Sequence, residues 1–169
     1  MQLRLRRDSQ HLLAQRFEIR VVGHLEQDQR HAHRGEVQEH VNLGMHHLHG
    51  GWEFEAVRHF AAALKADPDC LLAHWGMAMA LMPNHPEQSV ARQAAFARMR
   101  ALADAEAGTA LERAYVDALE AMLEGGAGAA SAAFGAVADR YPNDLHAPVF
   151  AAMFGRGGYN ELGEPVPAQ

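Results

Sequence analysis

Residues 40–60 read HVNLGMHHLHGGWEFEAVRHF and hold His40, His46, His47, His49 and His59. Either these imidazoles converge on a metal, or they ride on a helix whose other residues set the fold. The helix is legible in its punctuation. Gly50-Gly51 follows the apolar positions of the stretch, and glycine accepts the left-handed conformation that ends a helix. At 100° per residue, His40 and His47 fall within about 20° of each other, on the face that carries Gly44. His46 and His49 lie on a different face, so the four cannot meet at one ion from a single helix. There is no HExxH, and no Cys/His spacing matches a zinc motif. Packing or surface roles are therefore expected for these histidines.

The same punctuation continues along the chain. Asp67-Pro68-Asp69 ends a second helix, Pro83 and Pro86 separate a third from a fourth, and Thr109 with Glu112 has capping-box spacing. Gly125-Gly126 and Tyr141-Pro142-Asn143 close two more. Helices are expected over about 37–49, 53–66, 70–82, 87–104, 110–123, 128–140 and 144–154. No segment alternates as a strand would, so the fold class is all-α.

Gly44, Ala56, Phe60, Ala63 and Pro68 recur in spacing as Ala118, Ala130, Phe134, Val137 and Pro142, 74 residues on. Small residues at 44 and 56 let two antiparallel helices approach, a phenylalanine fills the space beside them, and proline stops the second helix. On these residues the chain resembles the tetratricopeptide repeat, whose pattern Leu43, Gly44, Ala56, Phe60, Ala63 and Pro68 satisfy, with His40 in place of its Trp and His47 in place of its Tyr. Asn42 to Asn84, with DPDCLLAHWGMAMALMPN, is similar to a bacterial subgroup of such proteins. The resemblance implies a short right-handed α-solenoid of stacked hairpins, with repeats at about 37–70, 71–110 and 111–144 and a partial one at 145–154. It also implies a protein-interaction scaffold that binds a peptide or protein segment in a concave groove. Carried onto this chain, the groove residues are Gln38, Val41, Met45, Leu72, Trp75, Met79, Tyr115 and Leu119.

Other features are expected to be structural. His74 beside Trp75 is a packing or capping residue, and Cys70 sits at a helix start where the dipole would lower a thiol pKa, without a base nearby. Met77, Met79, Met82 and Met99 fill the core, and the glycines at 125–128 and 155–158 form turns without a phosphate-loop lysine. No catalytic residue, cofactor or metal is expected. The twelve histidines keep a metal-binding or enzymatic module as the alternative, which would need His46, His49, His74, His85 and carboxylates to converge. A fragment of a longer solenoid is a further alternative.

The 169 residues suit one domain, and the net charge of −6 argues against nucleic acid as the main partner. The single cysteine forms no internal disulfide, no apolar run reaches membrane length, and no signal peptide is evident, which favours a cytoplasmic location. Residues 1–35 carry seven arginines against four acidic residues, whereas 36–169 are acidic and alanine-rich. The first 35 residues are read as a weakly ordered or short helical extension, 36–154 as the repeat domain and 155–169 as a Gly/Pro tail. The last helix is expected to leave Val149, Phe150, Met153 and Phe154 uncovered, which would favour self-association through that end.

Overall fold

A computed structural model describes residues 33–82 and 88–157, and those residues form helices without a strand. Most of the segment before Gly35, the Pro83–Pro86 junction with His85, and most of the tail lie outside the described residues. Helix α1 runs over 33–49, so Gly35, where the composition shifts, lies inside it. Its end is a Schellman motif. Gly51 takes a φ of 72°, the Trp52 amide donates to the His47 carbonyl at 2.9 Å, and the Gly51 amide donates to Leu48 at 3.2 Å. The chain turns there into α2 (Glu53–Ala66), whose first turn carries Glu53 and Glu55 and whose last turn carries Lys65, each matched to the helix dipole.

Ala56, Phe60 and Ala63 form the buried stripe of α2. Phe60 explains two glycines at once. A β-carbon at Gly44 of α1 would stand 2.6 Å from Phe60 Cε1, and one at Gly76 would stand 2.2 Å from Cζ. The ring therefore lies between two helix backbones that have no side chain at the point of contact. Gly76 belongs to α3 (Leu71–Ala80), which buries six of its ten residues. Helix α4 (Ser89–Asp104) covers α3 with Ala95, Met99 and Leu102.

The next helix, α5 (Ala110–Arg140), opens on the expected capping box: the Glu112 amide donates to Thr109 Oγ1 at 3.2 Å, and the Thr109 amide to Glu112 Oε2 at 2.6 Å. It is two helices joined by a one-residue break. Gly126, at φ 76° and ψ −168°, leaves the helical region, while Gly125 stays within it. The Tyr115 and Phe134 rings are 5.5 Å apart, whereas a straight helix would separate them by about 28 Å. The two halves of α5 thus fold against each other as a third hairpin, after α1–α2 and α3–α4.

Helix α6 (Ala147–Phe154) starts three residues later than the spacing suggests, with Pro148 in its first turn, where a missing amide costs nothing. Asp144 stays outside the helix because its carboxylate is engaged: Oδ2 accepts from the Ala147 amide at 2.8 Å and from the Tyr115 hydroxyl at 2.5 Å. The exposed apolar patch expected on α6 is mostly absent. Phe150 is fully buried, Phe154 stacks on Phe134 at 5.7 Å, Met153 is half-buried, and only Val149 stays 39% exposed.

Candidate interaction face

The first helices of the three hairpins are α1, α3 and the first half of α5. Trp75 of α3 and Tyr115 of α5 meet Phe134, from the second half of α5, at one place. The Trp75 ring lies edge-on to Tyr115 at 5.1 Å and to Phe134 at 6.2 Å, and its indole N–H donates to the Tyr115 carbonyl at 2.8 Å. Into this cluster α6 inserts Phe150, 5.2 Å from Trp75, 5.2 Å from Phe134 and 4.6 Å from the His49 ring of α1. Edge-to-face rings at these distances are favourable beyond their burial.

The repeat spacing shows what is unusual here. Phe150 stands 74 residues after Gly76, as Phe134 stands 74 after Phe60. Where α3 offers bare backbone to its phenylalanine, α6 offers a second ring. Side chains that a regular stack would display are interior. Val41, Met45, Trp75, Tyr115 and Leu119 are buried, and Leu72 and Met79 are half-buried. Only Gln38 is exposed, and its amide donates to Asn42 Oδ1 at 2.9 Å. Seven of the eight residues expected to line an open groove are thus buried or half-buried, and Phe150 packs against two of them, Trp75 and Tyr115. Among the signature residues, Gly44, Ala56, Phe60, Ala63, Ala130 and Phe134 are buried, whereas Leu43 is exposed and Pro68 and Pro142 lie in exposed turns.

Helix α6 also reaches α1. His49 Nε2 and His146 Nδ1 are 2.8 Å apart and the rings stack at 5.0 Å, across 97 residues of sequence. Three further contacts hold the segment: Tyr115 to Asp144, the Asp144 cap on Ala147, and the Ser131 hydroxyl donating to the Ala151 carbonyl at 2.8 Å. Hairpins stacked flat set their first helices about 10 Å apart, which would leave about 30 Å between α1 and α6. The described fold curves back far more tightly than that. His49 Nδ1 is buried and has no hydrogen-bond partner among the described residues. Burial above all, then the neighbouring His146 and His46, brings its pKa down to about 4, against a smaller opposing pull from Asp144.

His40, His47 and His59 pack against one another. His47 stacks on His59 at 5.2 Å, and His40 lies 3.3 Å from His59, nitrogen to nitrogen. Burial, then His47 and His40, holds the His59 pKa below its ordinary value. The positions 74 residues after His40, His47 and His59 are Ala114, Ala121 and Ala133. There a groove of about 240 Å³ opens between the halves of α5, with Ala114 and Ala133 in its lining. The three imidazoles fill in the first hairpin what alanines leave open in the third. His74 donates from Nε2 to the Pro68 carbonyl at 2.9 Å and so ties α3 to the turn before it. Burial pushes the Cys70 thiol up, so desolvation outweighs the helix-start effect expected for it. Among the described residues, no group of three or more His, Cys, Asp or Glu is placed to hold a metal ion, and no helix is long and apolar enough to cross a membrane.

The His49–His146 pair and the Tyr115–Asp144 bond are the features that the sequence did not foretell. The one signal available was Asp144 three residues ahead of a helix start, a spacing that suits a capping carboxylate. Compared with models of protein families, with curated proteins and with solved structures, the chain matches none.

Proposed function

We propose that the protein is a protein-interaction scaffold of the tetratricopeptide type, a short right-handed stack of helical hairpins that binds a helical segment of a partner protein on its first-helix face. One observation supports this reading above the others: Phe150, on a short helix made only of apolar residues, is fully buried among His49, Trp75, Tyr115 and Phe134. A face that accepts this helix from its own chain has the shape and apolar character to accept a similar one from another. Recognition of this kind places one aromatic anchor in a pocket and lets main-chain and rim contacts set direction.

The test uses the full-length chain carrying Phe150→Ala, which empties the pocket, and a fluorescent peptide spanning residues 144–157. Anisotropy should show saturable binding, with a Kd on the order of 10–100 µM. The same peptide with Ala at the phenylalanine equivalent to 150 should not bind. Absence of saturable binding by a chain that retains its helical circular dichroism would overturn the reading.

A further inference from the structure

We infer that α6 is a proton-released plug: protonation of the His49–His146 pair detaches α6 from α1 and frees the first-helix face for a partner, an inference that rests on the interaction face proposed above.

Two neutral imidazoles joined Nε2 to Nδ1 share one hydrogen in the bond and carry a second on one outer nitrogen. The low-cost arrangement leaves that second hydrogen on His146 Nε2 and a bare lone pair on His49 Nδ1, because a buried acceptor without a partner is tolerated better than a buried donor. A third hydrogen has one place left to go if the bond is kept. Whichever ring is nominally charged, it must sit on His49 Nδ1, which is buried and has no hydrogen-bond partner among the described residues. A fourth removes the last lone pair from the bond. Acid therefore either creates an unsatisfied buried N–H beside a positive charge or breaks the contact, and breaking it is the cheaper outcome.

The surroundings do not rescue the charge. On α1 the titratable neighbour is His46, which repels a second cation. From the segment before α6 come His146 itself and Asp144, and Asp144 Oδ2 already accepts from the Tyr115 hydroxyl and the Ala147 amide. From α6 comes the uncharged face of Phe150. The depressed pKa of His49 agrees with this geometry. Helix α6 is eight residues long, below the length at which a helix persists unaided, so its place depends on its contacts, and His49 is the residue of α1 that meets both its start and Phe150. An imidazole is suited to such switching because, once released from burial, it regains its ordinary affinity for a proton.

The experiment exploits the two tryptophans. Trp52 is 66% exposed, and Trp52→Phe in the full chain leaves Trp75, fully buried against Phe150, as the only reporter. On lowering the pH from 7.5 to 4, Trp75 emission should shift to the red and α6 amides should lose hydrogen-exchange protection while far-ultraviolet circular dichroism stays near its starting value. His49→Gln and His146→Gln should each abolish the acid shift, and His40→Gln should leave it in place. An unmoved Trp75 spectrum with protected α6 amides would overturn the switch, as would a shift that coincides with loss of total helicity. Should a glutamine variant fail to fold, hydrogen exchange on the unsubstituted chain still decides between these outcomes. The two readings separate cleanly. An acid shift in a chain whose Phe150→Ala form binds no peptide keeps the switch and discards the interaction face; peptide binding with Trp75 unmoved by acid does the reverse.

Discussion

Phe60 is held by absences. Its ring fits because Gly44 and Gly76 have no β-carbon, and both helices are close enough that a methyl group would overlap it. A Gly→Ala change inside an exposed helix ordinarily gains about 0.5–1 kcal/mol from reduced backbone entropy. At Gly76 the sign should reverse. The new Cβ would meet Phe60 Cζ at 2.2 Å, and the ring cannot retreat because Gly44 bounds it on the other side. Gly76→Ala should cost about 1–3 kcal/mol in urea unfolding, and Gly44→Leu at least as much. Pairing Gly76→Ala with Phe60→Leu should recover part of the loss, since the smaller side chain opens the space. Independent, additive costs in that double-mutant cycle would contradict the wedge.

Helix α5 shows how one residue divides an element. Gly126 lies at φ 76° and ψ −168°, a region essentially closed to side-chain-bearing residues, and the hairpin of α5 depends on it. Gly126→Ala should destabilise by about 1–3 kcal/mol. Nine positions on, Gly135 is helical with nothing within 4 Å of where a Cβ would stand, so Gly135→Ala should stabilise by about 0.5–1 kcal/mol. Opposite shifts in Tm for two glycine substitutions in one helix test the break directly. The start of α6 rests on Tyr115 and Asp144. Tyr115→Phe should cost about 1 kcal/mol, since Asp144 keeps its bond to the Ala147 amide. Burial, reinforced by the Asp144 contact, also pushes the Tyr115 phenol upward, so that side chain stays protonated through the neutral range.

At the scale of the molecule, the seam between α1 and α6 makes stability depend on pH. His49 titrates near 6.5 when unfolded and near 4 when folded. As pH falls below 6.5 the unfolded chain takes up the proton and the folded chain does not, so this contribution is complete above 6.5 and is lost progressively towards 4. With allowance for the screening of a half-buried ring, the loss is about 1–2 kcal/mol, and His49→Gln should flatten it. Urea titrations at pH 7 and 5 would measure both. The exposed pairs Arg58–Glu55 and Arg100–Glu120, at 3.1 and 2.7 Å, should contribute little, so added salt should leave stability almost unchanged.

How much of the fold is legible in the sequence follows from the range over which each signal acts. Helix ends are written in neighbouring residues: the Gly50-Gly51 turn, the Asp67-Pro68-Asp69 stop and the Thr109–Glu112 box all act within a few positions, and all stand in the structure where the spacing puts them. The small-residue and phenylalanine pattern is nearly as local, since a hairpin brings Gly44 and Phe60 together over sixteen residues. The all-helical class is readable for the same reason. The path of α6 is not. Its place is set by contacts of Phe150 with His49 and Trp75, 101 and 75 residues earlier, and no residue near 150 records them. The His49–His146 contact joins residues 97 positions apart, and the burial of Val41, Met45, Trp75, Tyr115 and Leu119 likewise depends on tertiary neighbours that no local pattern records.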